Sequence, residues 1–463
     1  MSSIKIDPGS FRDPSGNIFN HEDKIIRILK KEGTDRLKYL RENDLLNQSI
    51  SRKFLIDSNF IGAKALDLDL DNVEEIIEHK KLNYISYPYE WSFDQLKDAA
   101  LHHLEFHIFL LKNEATLIDS SAYNIQFDGY KPVFIDILSI KKYQNGEYWK
   151  GHKQFCENFL YPLILKAKKN IDFNNWFRGN LEGIKSHEIN SLLTLGNKFS
   201  YTIFTQVVLL DYLEKKFLGN KEINIKKIKE KNFQKKSYLG LLNQLKNFII
   251  SLKVKKNKTV WDDYSINNTY TKNEENLKIT TVSEFAEKYK FDKLVDLGCN
   301  DGVYSKECLK KGCKFVVGFD YDLNVVNQAY NISKKGKLNF LPLYLDASNP
   351  SPNIGWGQIE RKGFIERLNF SGMLALAFEH HLAIAKNIPL DQLVKWLLNI
   401  APKGLIEFVP KSDQTIKKML LLKGDIFRDY SEENFKNLIL RNAKIVSEKK
   451  ITESGRKIFE YSK

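Results

Sequence analysis

The chain has 463 residues, 42% hydrophobic and 12% aromatic, which is globular composition and too much sequence for one core, so two or three domains are expected. The net charge is +14, yet lysine is spread along the whole chain, so compositional bias explains it more simply than a nucleic-acid or membrane partner. No run of about 18 apolar residues and no apolar leader after Met1 is present, so neither a membrane span nor a secretory signal is expected, and the chain is read as cytoplasmic. Cys156, Cys299, Cys308 and Cys313 lack the paired spacing of a zinc site and read as buried thiols in a reducing compartment.

In chain order, Asp13-Pro14-Ser15-Gly16 is turn chemistry between short extended runs and predicts a small hairpin over 11–19. Helical patterns follow through Leu45, and residues 96–112 form a long apolar-periodic helix. Two short strands then flank a turn, with acids close to both: Asp119 precedes Asn124, and Asp136 follows the second strand. Asp119 and Asn124 keep the Asp-x-x-x-x-Asn spacing of a kinase catalytic loop, and Asp136 stands where the metal-binding Asp follows the next hairpin. Residues 1–189 therefore resemble an α+β protein-kinase-like domain, in which Tyr87–Ser92 would sit near the interlobe hinge. In that family the first Asp takes the substrate proton, and the Asn and second Asp hold magnesium. The pattern departs from the family at several points. Leu117-Ile118 replace His-Arg before Asp119, no Phe-Gly follows Asp136, and neither a Gly-rich phosphate loop nor a Val-Ala-Ile-Lys strand is recognisable. These departures leave two readings: a kinase-like scaffold that does not transfer phosphate, or plain turn acids in an α+β domain.

Residues 190–260 read as a helical linker, with a basic stretch from Lys221 to Lys236 whose interleaved Glu222 and Glu230 suit a solvated face. A second domain, 261–463, begins near Trp261. A helix over Asn273–Tyr289 leads into it; Tyr270 and Lys278 either line a ligand or belong to an ordinary surface helix. No internal repeat is evident.

The most informative segment is Leu294 to Ser305, an apolar run, an acid at Asp296, a turn with Gly298, Asn300 and Gly302, and then a helical pattern. Glycines let the backbone turn tightly and approach a ligand, and the helix that follows turns its N–H groups toward it. The carboxylate of Asp296 departs from a phosphate loop and suits an amino-bearing ligand. Asp296-x-Gly298-x-x-x-Gly302 resembles motif I of class I S-adenosylmethionine-dependent methyltransferases. A second apolar strand, 314–320, ends in Asp320 at about the 20-residue spacing at which an acid accepts ribose hydroxyls. A third, 338–346, ends in Asp346, which in the methyltransferase pattern lies beside the adenine.

After Asp346, Pro350 and Pro352 force an irregular loop at the strand's carboxyl end, where open α/β sheets bind ligands. Trp356 in that loop either stacks on substrate or adenine or caps the core. Glu360, Arg361, Glu366 and Arg367 read as the solvated face of a helix. A fourth strand from Gly372 runs to His380 and His381, placed where a reacting methyl group would lie; they either take a proton from a substrate hydroxyl or cap the next helix. No third ligand has suitable spacing, so no metal is expected. Glu407 lies inside a fifth apolar strand, and a buried acid there must be paired or near a cation, either the cofactor sulfonium or, more simply, a structural partner.

The stretch Val295–Gly302, the Asn349–Pro352 loop ending at Gly355-Trp356, Glu379–Leu382 and Glu407–Lys411 together resemble the class I methyltransferases related to rhizobial nodulation host-specificity proteins. Phe11–Gly16 and Ser86–Trp91 resemble that family too, so the likeness spans nearly the whole chain. It implies a Rossmann-like C-terminal domain and S-adenosyl-L-methionine as cofactor. It also implies binding through Asp296, Gly298, Asn300, Gly302, Asp320 and Asp346, with His380 and His381 on the catalytic side. A carbohydrate or other small hydroxylated acceptor is expected. Two other readings stand beside it: an RNA methyltransferase, suggested by net charge alone without a recognisable RNA-binding module, and a regulatory protein whose kinase-like domain senses nucleotide.

Overall fold

The computed structural model describes residues 5–21, 24–61, 73–219, 233–254 and 270–463. Most of the basic stretch 221–236 and the approach from Trp261 to Thr269 lie outside them. The chain divides into two units. The first comprises 1–127, 132–256 and 354–361; the second comprises 128–131, 257–353 and 362–463. The region read as a linker belongs to the first unit because its helix Lys235–Ser251 buries Tyr238, Leu242, Leu245 and Ile249 and pairs Lys246 with Glu105 at 2.8 Å. Among the described residues no helix is long and apolar enough to cross a membrane.

The first unit opens with an antiparallel sheet of β1 (Lys5–Ile6), β2 (Gly16–His21), β3 (Lys24–Leu29), β4 (Ser58–Ile61) and β5 (Glu75–His79), in the order β1-β2-β3-β5-β4. The expected turn falls between β1 and β2, where Ser15 N donates to Asp13 Oδ1 at 2.8 Å. Alternation places Phe19, Ile26, Ile28 and Ile76 on one buried face. Helix Lys31–Glu42 follows β3. Helix Phe93–Lys112 starts at Ser92, whose backbone N–H donates to Gln95 Oε1 at 2.9 Å in a capping box, and it buries Leu96, Ala99, Leu104 and Leu111. The short strands β6 (Ala115–Leu117), β7 (Ile125–Asp128), β8 (Lys131–Phe134) and β9 (Ile140–Lys142) follow, pairing β6 with β9 and β7 with β8.

The second unit is built on β10 (Lys293–Leu297), β11 (Phe315–Asp320), β12 (Phe340–Tyr344), β13 (Gly372–Ala375), β14 (Lys403–Phe408), β15 (Lys444–Lys450) and β16 (Lys457–Ser462). Their order is β12-β11-β10-β13-β14-β16-β15. The first five are parallel, and β16 runs antiparallel to both neighbours. Residues on both faces of β10 and β11 are buried, as expected when helices cover a parallel sheet on each side. The order reverses at β10, from which the chain first builds outward to β12 and then crosses to β13. This is a Rossmann-like doubly wound sheet, and sheets of this kind bind ligands at the switch point, here the carboxyl ends of β10 and β13.

The fourth strand is shorter than the sequence predicts. It ends at Ala375; Ala377 is left-handed at φ +51°, and His380 already has helical angles ahead of a wide helical turn, His381–Ala385. The histidines therefore begin a helical turn beyond the strand.

Candidate ligand crevice

The turn after β10 holds three left-handed residues, Gly298 (φ +74°), Asn300 (φ +49°) and Gly302 (φ +85°). A Cβ on Gly302 would lie 2.5 Å from the Phe340 ring, so this position is restricted by packing as well as by φ. Gly298 and Cys299 donate their backbone N–H groups to Phe319 O at 2.8 and 3.0 Å, tying the turn to β11. Asp320, at the end of β11, accepts from Asn300 N through Oδ2 and from Asp322 N through Oδ1, both at 3.0 Å. Burial pushes its carboxyl above the usual range. The Tyr321 N–H also bonds this carboxylate, which has about four acceptor positions in all, so about one remains for a ligand hydroxyl.

Asp296 is fully buried in β10 and accepts from Ser305 Oγ at 2.7 Å. Burial, followed by the nearby charge of Asp320, pushes its carboxyl up to about 6, against the pull of Ser305. Its hydrogen bond braces the first turn of the following helix against the strand. Asp346, half-buried beyond β12, accepts from Ser348 N at 3.0 Å and Ser348 Oγ at 2.6 Å. Both donors belong to Ser348 and meet the same oxygen, Oδ1, so the acid shapes its own loop.

A buried charged network joins helix Lys272–Tyr289 to β14. Lys278, in helix Lys272–Tyr289, is 3% exposed at its side chain and pairs with Glu407 Oε2 at 2.7 Å, with Glu407 fully buried. Lys278 is therefore no surface residue. Tyr270 Oη donates to Glu407 Oε1 at 2.7 Å and accepts from Lys278 Nζ at 3.0 Å and Arg456 Nη1 at 2.6 Å. Arg456 in turn grips Asp413 through Nε at 2.9 Å and Nη2 at 3.1 Å. Burial opposes ionisation of Glu407, but Lys278 and Arg456 outweigh it and hold the carboxyl below its ordinary value. The sequence signal for a partner to Glu407 was present; its identity was not.

Glu379 precedes the histidine pair and was missed as a site residue. Its Oε1 accepts from Val409 N at 2.9 Å and Tyr430 Oη at 2.7 Å, and its Oε2 lies 3.2 Å from His380 Nδ1. A hydrogen-bonded carboxylate at Nδ1 makes that nitrogen the donor and leaves the His380 lone pair on Nε2. Nε2 is buried and has no hydrogen-bond partner among the described residues. The His381 ring lies 4.1 Å from that of His380. Burial, with His380 beside it, pushes His381 down to about 3, so it is neutral near pH 7. Among the described residues no cluster of three or more His, Cys, Asp or Glu could hold a metal ion.

Trp356 does not cap a core. It is 67% exposed, and its ring stands 5.3 Å from Phe11 within the first unit. Glu360 and Arg361 are not on a solvated helix face either. Glu360 pairs with Arg12, Arg361 stacks on Tyr123 at 4.6 Å, and Ile354 and Arg361 form an antiparallel bridge. Arg367 is buried and donates to Gly363 O at 3.3 Å and Ser351 Oγ at 3.2 Å. Prolines and glycines keep 349–363 irregular, and long-range partners take up the charges that a helix would have left in water.

In the first unit, Asp119 accepts from Ser121 N at 2.9 Å, and burial raises its carboxyl, with the nearby charge of Asp136 adding to the rise. Asp136 is paired with Arg27 of β3 at 3.2 Å, and Arg27 also lies 3.7 Å from Asp13. Sequence reading gave no role to Arg27, since no strand-lysine motif surrounds it.

No family model matches the chain. Nodulation protein NoeA of Rhizobium meliloti (strain 1021) is 40% identical over 456 residues, spanning 98% of this chain and 95% of the relative. Among solved structures, the PH0226 protein from Pyrococcus horikoshii OT3 is 18% identical, covering 43% of this chain and 98% of its own, with a TM-score of 0.31. The N-methyltransferase NodS from Bradyrhizobium japonicum WM9 is 8% identical, covering 41% of this chain and 96% of its own, with a TM-score of 0.30.

Proposed function

The chain belongs to the family of nodulation protein NoeA, and on that premise we propose that its second unit transfers a methyl group from S-adenosylmethionine to a hydroxyl of a carbohydrate or another small hydroxylated molecule. The observation that carries this reading is the coincidence of a glycine turn, three strand-end acids and an orphaned imidazole nitrogen at the crevice end of one doubly wound sheet. The residues present fit the cofactor. Gly298 is exposed and carries no side chain, and Asp320 keeps an acceptor position that suits a ribose hydroxyl.

When bound, S-adenosylmethionine supplies an electrophilic methyl group. Asp296 holds the strand and helix in register, Asp320 takes the ribose, and Asp346 with its Ser348 turn flanks the adenine. Glu379 holds His380 with its basic Nε2 available for the acceptor hydroxyl proton. His381, neutral, packs beside it and shapes the approach. Such alignment and proton removal are what hydroxyl methylation requires.

Asp320→Ala is expected to weaken cofactor binding by roughly 1.5–3 kcal/mol, the worth of hydrogen bonds to a charged group. Calorimetric titration of wild type and variant checks this. No binding by the wild type, or undiminished binding by the variant, removes the assignment. A labelled-methyl assay against cell glycans and RNA tests the acceptor class, and label confined to RNA would overturn the hydroxylated small-molecule reading.

For the first unit we propose a kinase-like core around Asp119, Asn124 and Asp136 that does not transfer phosphate. Its support is the sheet order β1-β2-β3-β5-β4 with a helix after β3, and the guanidinium of Arg27 set on Asp136, where the resemblance would put magnesium. A thermal-shift series is expected to show no stabilisation by ATP with magnesium. Robust stabilisation that Asp136→Ala abolishes would favour the nucleotide-sensing reading instead.

A further inference from the structure

Residues 195–216 of the first unit carry an exposed apolar face that neither proposed activity uses. Phe199 is 88% exposed, Leu195 79% and Tyr201 71%, and Phe204, Leu209 and Tyr212 are exposed beside them. Tyr201, Phe204, Val208 and Tyr212 recur at i, i+3, i+7 and i+11, one stripe of a helical run. The opposite stripe, with Thr202, Ile203, Gln206, Val207 and Asp211, is buried. The run is thus anchored on one side and bare on the other. Soluble surfaces seldom gather this many large apolar side chains without a partner.

Charge says what the partner is. The acids of the run are already engaged: Asp211 pairs with Lys215 at 2.8 Å and accepts from Asn190 at 2.6 Å, while Glu214 pairs with Lys153 at 2.8 Å and accepts from Ser186 at 2.6 Å. Lys198 and Lys216 stand in the last turns of the two helices that carry the face, with no ion pair among the described residues. A second copy on this face would set lysine against lysine. Single-stranded nucleic acid would stack on the aromatic rings but gain nothing from Leu195 and Leu209. An anionic bilayer satisfies both halves, because aromatic and leucine side chains enter the headgroup–acyl boundary while lysines meet the lipid phosphates.

We propose that this face is a peripheral docking surface for an anionic phospholipid membrane. It lies outside the crevice residues and does not depend on the proposed methyl transfer.

The test is sedimentation of the full chain with phosphatidylglycerol vesicles and with phosphatidylcholine vesicles. Binding is expected to the first and not the second, and to fall as salt is raised. Leu195→Ser with Phe199→Ser, both at highly exposed positions, is expected to weaken the partition about tenfold or more. Thermal midpoint and S-adenosylmethionine titration should stay unchanged. Lys198→Glu with Lys216→Glu should weaken it as well, through charge alone. Absence of wild-type binding to phosphatidylglycerol, or equal binding by the apolar variant, overturns the proposal. So does a wild-type dimer that the same variant turns to monomer, or binding to single-stranded RNA in place of vesicles.

Discussion

Lys278→Met is expected to destabilise the second unit by about 3–5 kcal/mol, the range for removing one partner of a buried ion pair. The cause is the carboxylate left behind. Glu407 is fully buried within β14, and its Oε2 faces Lys278 Nζ at 2.7 Å. Tyr270 would still donate to Oε1, and Arg456 would still hold Tyr270, but neither replaces the ammonium. Combining Lys278→Met with Glu407→Gln is expected to recover part of the loss, since the uncompensated charge goes with its partner. Denaturant unfolding of the wild type, both single variants and the double variant measures the coupling. A Lys278→Met protein within about 1 kcal/mol of wild type would show that Arg456 alone suffices to hold the acid.

His380→Ala is expected to lower turnover by about 10²–10⁴-fold while leaving S-adenosylmethionine affinity nearly intact, because a positioned base contributes in that range. The geometry distinguishes the two histidines. Glu379 faces Nδ1 of His380, which leaves the buried, unpartnered Nε2 as the basic atom. His381 is pushed down to about 3 and is a weak base, so His381→Ala is expected to cost less. Glu379→Gln should lower turnover with His380 still in place and shift the pH profile, which a purely structural Glu379 would not do. Labelled-methyl turnover paired with calorimetric titration reads both quantities. If the His380 and His381 variants both turn over at the wild-type rate, the base lies elsewhere or solvent serves.

The local devices of this chain were legible in its sequence. The turn from Gly298 to Gly302 could be read because left-handed backbone selects glycine, and the Asp296 and Asp320 positions followed from strand ends beside it. The helix Phe93–Lys112 was visible in its apolar period from Leu96 onward, three residues late at its start, and the helix Lys272–Tyr289 from Asn273 onward. The length of the fourth strand was not legible. An apolar run reads alike as buried strand and as buried helix, and only packing ends the strand at Ala375 and turns His380 and His381 into a helical bend.

By itself, then, the sequence determined what neighbouring residues dictate: periodicity, turn stereochemistry, and the need of Glu407 for a cation. Tertiary structure alone decided who meets whom. It set Lys278 on Glu407, Arg27 on Asp136 and Glu379 on His380, and it drew Trp356 to Phe11. The physical reason is that a buried charge must be matched wherever the fold permits, and the matching side chain is chosen by packing rather than by distance along the chain. Glu379 makes the point most plainly. Beside a histidine pair it looks like any polar residue after a strand, and its role emerges only once Val409 and Tyr430 fix its carboxylate and aim it at Nδ1.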